Sequence, residues 1–178
     1  MIDSVQPPQI ALVRYGSIPE VARCDINSVA NITRGCDVVV KTHRGLELGQ
    51  VLDLLIPSPE PGEELRPASF TIERCATAKD QSQRQRQLEQ TREDFPGWEQ
   101  RIKDWDLDLQ LIELEWTLDA EKLVLYVLNE RGPECTKLAL QVAAAGLGIV
   151  DVQPVSMEGL VSMPTGGGCG SGGCGCHS

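Results

Sequence analysis

The stretch Leu109-Gln110-Leu111-Ile112-Glu113-Leu114-Glu115-Trp116-Thr117-Leu118-Asp119-Ala120-Glu121-Lys122-Leu123-Val124-Leu125-Tyr126-Val127-Leu128 carries two hydrophobic rhythms. In its first half Ile112, Leu114, Trp116 and Leu118 alternate with Glu113, Glu115 and Thr117, which marks a strand with one buried face. In its second half Leu123 to Leu128 runs without a polar break, and a central strand covered on both faces is the expectation. Asp119 to Lys122 supply the turn between them.

Beyond this pair, Pro133 can open a helix in which Leu138, Val142 and Ala145 share a face, Gly146 can close it, and a last strand follows around Ile149 to Val155. Before it, Phe70 to Ala76 is a short apolar–polar run, and Lys79 to Asp94 is polar enough for a solvated helix. Leu88, Phe95 and Ile102 recur at heptad spacing, as do Trp98 and Trp105, which gives this region an apolar stripe. Pro96-Gly97 interrupts the stripe, so a kink or two helices is expected rather than one straight rod. The tryptophans read as core packing on a sheet. The order is β-α-β-β-α-β, the ferredoxin-like sandwich, assigned to residues 68–156. That fold name implies nothing about iron.

The N-terminal part, residues 1–56, alternates short β-rich runs with turns: Ile10 to Tyr15, Val21 to Ile26, Val38 to Thr42 and Leu46 to Leu54. A small β-barrel-like module is expected. Thr42-His43-Arg44-Gly45 resembles a hairpin turn, with His43 a turn residue and Gly45 free to take positive φ. Residues 57–67, with prolines at 57, 59, 61 and 67, resist helix and strand and read as a linker. The whole chain is therefore expected to be α+β, with a Gly/Cys-rich flexible tail over 157–178.

At 178 residues, 41% of them hydrophobic, the chain can bury a real core. No run has the length of a membrane-spanning helix, and Met1-Ile2-Asp3-Ser4-Val5 lacks signal-peptide regions, so the cytoplasm is the expected compartment. The seven cysteines are expected to be reduced there, and their odd number opposes a disulfide framework that pairs each one. A net charge of −10 repels a phosphate backbone at long range and disfavours direct nucleic-acid binding.

Cysteine chemistry gathers at the end, in Gly168-Cys169-Gly170-Ser171-Gly172-Gly173-Cys174-Gly175-Cys176-His177-Ser178. The C-x4-C-x-C-H spacing lets the thiolates of Cys169, Cys174 and Cys176 converge, with His177 available as a fourth ligand, and the glycines let the backbone curl around a centre. Soft thiolates suit zinc, cuprous copper or an iron–sulfur cluster. The alternative is a tail of exposed thiols. Cys24, Cys36, Cys75 and Cys135 fall in or beside expected elements and read as small buried hydrophobes. Asp37 and Glu47 read as solvated or turn-forming rather than catalytic.

Several of these segments together resemble the PSP1 C-terminal domain family, the bacterial YaaT-like group. The likeness rests on Val13-Arg14-Tyr15-Gly16, on Asp37-Val38-Val39-Val40-Lys41-Thr42-His43-Arg44-Gly45-Leu46-Glu47-Leu48-Gly49-Gln50-Val51, and on Leu109 to Tyr126 with its Trp116-Thr117-Leu118-Asp119 turn. The middle segment is similar to the family's "VVVKTxRGxExGxV" signature. Cys169-Gly170-Ser171-Gly172-Gly173-Cys174 matches the opening of the family's CGxxxCC motif, while the third thiol, Cys176, comes one position late and the cysteine-containing region of longer relatives is missing. The resemblance implies a non-enzymatic regulatory adaptor that joins small helical partner proteins and influences messenger-RNA processing by a membrane-associated endoribonuclease. It also implies an iron–sulfur site, carried over here onto Cys169 and Cys174, with zinc as the alternative.

Two other classes compete. A thiol redox protein would use Cys174 and Cys176, which lie close in sequence. An RNA-binding module would use the sheet as a platform, yet Leu123 to Leu128 offers one aromatic, Tyr126, and no basic-aromatic signature. Two histidines and no catalytic signature point away from an enzyme.

Overall fold

Alternating burial builds the first sheet of the computed structural model, which describes residues 10–26, 29–55, 67–129 and 133–161. In β1 (Ile10–Tyr15) Ala11, Val13 and Tyr15 are buried, and β2 (Glu20–Asp25) returns antiparallel beside it across Gly16, whose φ of 82° suits a residue without Cβ. β3 (Asp37–Lys41) and β4 (Leu46–Leu55) form the expected hairpin, closed by Thr42 N–H donating to the Gly45 carbonyl at 2.9 Å. β4 then pairs along its other edge with β1. β5 (Phe70–Cys75) lies antiparallel to β3 and parallel to β2, which closes the barrel in the order β1-β2-β5-β3-β4. Closure gives every strand a neighbour on both sides, with β2 and β5 meeting at Cys24↔Phe70 and Asp25↔Thr71. Ala11, Val13, Cys24, Ile26, Val38, Val40, Val51 and Ile72 fill the interior.

α1 (Ala78–Asp104) begins almost at once after β5. Thr77 caps it with a capping box: Thr77 N–H donates to Asp80 Oδ2 at 2.8 Å, and the Thr77 hydroxyl accepts from the Asp80 amide. Arg74, on β5, grips the same carboxylate through both Nη atoms, with Nη2 to Oδ1 at 2.8 Å. The helix continues through Pro96-Gly97 as one element, so of the expected kink or two helices the second does not occur. Proline removes one backbone bond there, and packing of Trp98 and Ile102 into the core below outweighs that loss.

The second sheet has the order β6-β7-β8-β9, from β6 (Gln110–Trp116), β7 (Leu123–Leu128), β8 (Val150–Ser156) and β9 (Gly159–Leu160). The ferredoxin-like sandwich is corrected here. Its expected first strand, Phe70 to Ala76, is the closing strand of the barrel, because Ile72 fills the barrel interior and the strand pairs there on both edges. With that strand engaged elsewhere, β8 pairs directly with β7, parallel from Leu123↔Val150 to Leu128↔Val155. Parallel neighbours need a crossover, and α2 (Glu134–Ala144) provides it, opened by Pro133 and ended near Gly146 at φ 65°. The segment assigned to the tail from residue 157 starts with β9, paired to β8 at Val155↔Leu160.

β7 is covered on both faces, as its unbroken apolar run requires. Leu123, Leu125 and Val127 meet Trp98 and Ile102 of α1 and Cys135, Leu138 and Val142 of α2. On the opposite face Val124 and Tyr126 join Val155, with Ile18 of the β1–β2 turn and Leu160 packed against them. The barrel thus supplies part of the cover for the second sheet.

Candidate functional site

The turn of the β3–β4 hairpin aims Arg44 out of the barrel and into the second module. Its side chain is completely buried, where an uncompensated guanidinium would be prohibitive. The compensation is dense. Arg44 Nη1 donates to the Tyr126 hydroxyl at 3.0 Å, Nε donates to Glu47 Oε2 at 3.3 Å, and Nη2 lies 2.9 Å from Glu47 Oε1 and 3.2 Å from Glu20 Oε1. The Nη2–Oε1 approach is an ion pair whose angles fall outside those of a hydrogen bond. The guanidinium also stands 5.5 Å from the Tyr15 ring centroid and 6.0 Å from that of Tyr126, within cation–π range.

From Tyr126 the network continues into the second sheet. Its hydroxyl donates to Glu115 Oε2 at 2.7 Å, and the same oxygen accepts from Ser17 N–H at 2.8 Å. Arg84 of α1 pairs with Glu115 Oε1 at 2.6 Å and donates to Ser17 Oγ at 3.0 Å. A second seam runs beside it. Leu46 N–H donates to Asp119 Oδ2 at 3.2 Å, Leu118 N–H donates to the Leu46 carbonyl at 2.6 Å, and Gln81 of α1 reaches Asp37 Oδ2 at 2.8 Å. Barrel and second sheet are therefore tied by buried polar contacts, and the helix by part-buried and exposed ones, as well as by packing.

The electrostatics follow from burial and partners. Desolvation pushes the Glu47 carboxyl above its usual range, against the pull of Arg44 and the hydrogen bond from Thr42 at 2.5 Å. Burial and the Glu115 carboxylate together raise Tyr126, so its phenol stays protonated and donates. Burial opposes the charge on Arg44, but Glu47, Tyr126 and Glu20 overcome it and hold the guanidinium charged. Asp119 is lowered: burial works against its charge, and the Thr117 hydroxyl and the Leu46 amide prevail. Each of these groups is engaged by another member of the network, and what the arrangement does chemically is hold two modules in one register.

The residues expected to ligate metal, Cys169, Cys174, Cys176 and His177, lie outside the described residues. Among the described residues there is no group of three or more His, Cys, Asp or Glu side chains placed to hold a metal ion. Cys24 is buried in the barrel, its thiol pushed up to about 11 by burial, and Cys135 is buried on the core-facing side of α2. Cys36 and Cys75 are partly buried against the barrel core. His43 sits in the hairpin turn with its ring 5.7 Å from that of Phe70.

Glu47 differs from its sequence reading: it is only 4% exposed, because Arg44 and Thr42 accompany it into the joint. Glu115, on the outward face of an alternating strand, is buried for the same reason. Strand alternation reports which face a residue occupies but not what docks there. The available signal was the charge pair built into Arg44-Gly45-Leu46-Glu47.

Fold and site together define an α+β protein in which a closed five-stranded barrel is locked to a helix-covered sheet through a buried charged joint. The chain matches no protein-family model, no curated protein and no solved structure.

Proposed function

We propose that this chain is a non-enzymatic regulatory adaptor of the PSP1, YaaT-like type. In this reading it is a cytoplasmic scaffold that assembles with small helical partner proteins to influence RNA processing. One observation supports it: the three segments that carry the resemblance meet at one place. Tyr15 and Gly16 border Arg44, the hairpin provides Arg44 and Glu47, and the third segment provides Glu115, the Thr117-Leu118-Asp119 turn and Tyr126. The signature then serves a rigid scaffold, which is what an adaptor has to present to its partners. An RNA platform has less in its favour, since the aromatic on its central strand, Tyr126, is buried in the joint.

Cys169, Cys174, Cys176 and His177 form the donor set of the proposed metal site, and three thiolates with an imidazole suit an iron–sulfur cluster or zinc. A bound cluster would make the adaptor sensitive to oxidant, whereas zinc would supply a redox-silent cross-link.

The test of the adaptor is co-expression with the small helical proteins that accompany PSP1-type chains. Co-elution at a fixed stoichiometry is the expected result, and independent elution of every component would overturn the reading. The metal is tested separately, by anaerobic purification with iron, sulfide and zinc analysis. Cys169, Cys174 and Cys176 replaced together by Ser should lose the metal while the circular dichroism of the fold is unchanged.

A further inference from the structure

We draw no further inference here: the strongest candidate, the outer face of α2 where Ala139, Leu140, Ala143 and Ala144 are exposed, carries nothing because nothing in the structure shows what covers it.

Discussion

Arg44 on the barrel's hairpin and Tyr126 on the central strand of the second sheet share a 3.0 Å hydrogen bond, although 82 positions separate them in the chain. Both side chains are buried, and each faces carboxylates that would be left uncompensated without it. Arg44→Met should therefore cost about 3–5 kcal/mol, the usual penalty for orphaning buried charge. Urea unfolding checks this, and adding Glu47→Gln should recover part of the loss. A single variant within experimental error of wild type would refute the account. Arg44→Lys should not restore stability, because an ammonium cannot serve Glu47, Glu20 and Tyr126 through a planar fork.

Gly49 faces β1 at close quarters. A Cβ built there would come 2.5 Å from Val13 Cγ1, closer than real Cβ contacts come, and 3.1 Å from the Arg14 carbonyl, tighter than nearly all of them. Gly49→Ala should lower stability by about 1–3 kcal/mol as β1 and β4 are pushed apart. The thermal midpoint measures it, with Gly97→Ala, whose nearest contact is a movable arginine tip at 3.4 Å, as the control.

Asp80 links stability to acid. The hydrogen bonds from Arg74, followed by those from Thr77, hold its carboxyl well below the usual carboxylate range. The folded protein therefore binds this proton less readily than the unfolded chain does. Its contribution is present above the unfolded value near about 3.9 and is lost as the pH falls below that. Glu47 runs the other way: burial raises its carboxyl, so its favourable contribution exists at low pH and fades as the pH rises through its folded value. Asp80→Asn should lower stability at neutral pH and flatten the decline below about pH 4. Thr77→Ala, which removes the cap hydroxyl, should cost about 1 kcal/mol at pH 7.

Thiol accessibility gives a fourth check. Cys24 is fully buried and its thiol is pushed up to about 11, whereas Cys36 and Cys75 are partly exposed. Iodoacetamide labelling of native protein at pH 8, read by peptide mass spectrometry, should modify Cys36 and Cys75 about tenfold or more faster than Cys24. Equal rates would mean that the barrel opens on the labelling timescale.

Local patterns carried much of this architecture. Ile10–Tyr15 and Leu123–Leu128 have the bounds that their hydrophobic rhythm implies, and the Thr42-His43-Arg44-Gly45 turn closes as its glycine suggests. What alternation could not report was partnership. Phe70–Cys75 reads as a strand in any sheet, and only the pairing Val38↔Cys75 with Cys24↔Phe70 assigns it to the barrel. Pro96 signalled a kink or two helices, and α1 runs on through it as one element with Trp98 buried in the core beyond it. The charged joint was hidden for a similar reason: Glu115 occupies a face that is outward only until the other module arrives, and Glu47 shares the face of β4 that buries Gly49 and Val51.

The placement of β5 also sets an order of events during synthesis. A chain leaving the ribosome presents β1 to β4 with the outer edges of β2 and β3 unpaired, and such edges invite pairing with foreign strands. The residues that cover both edges arrive together, as Phe70–Cys75, and Ala76 and Thr77 then lead directly into α1, with Ala76 N–H bonded to the Asp37 carbonyl at 2.9 Å. Sealing the barrel and docking the first turn of the long helix are thus consecutive moments of one elongation, and a stall between Leu55 and Phe70 would hold the nascent chain in its most adhesive form.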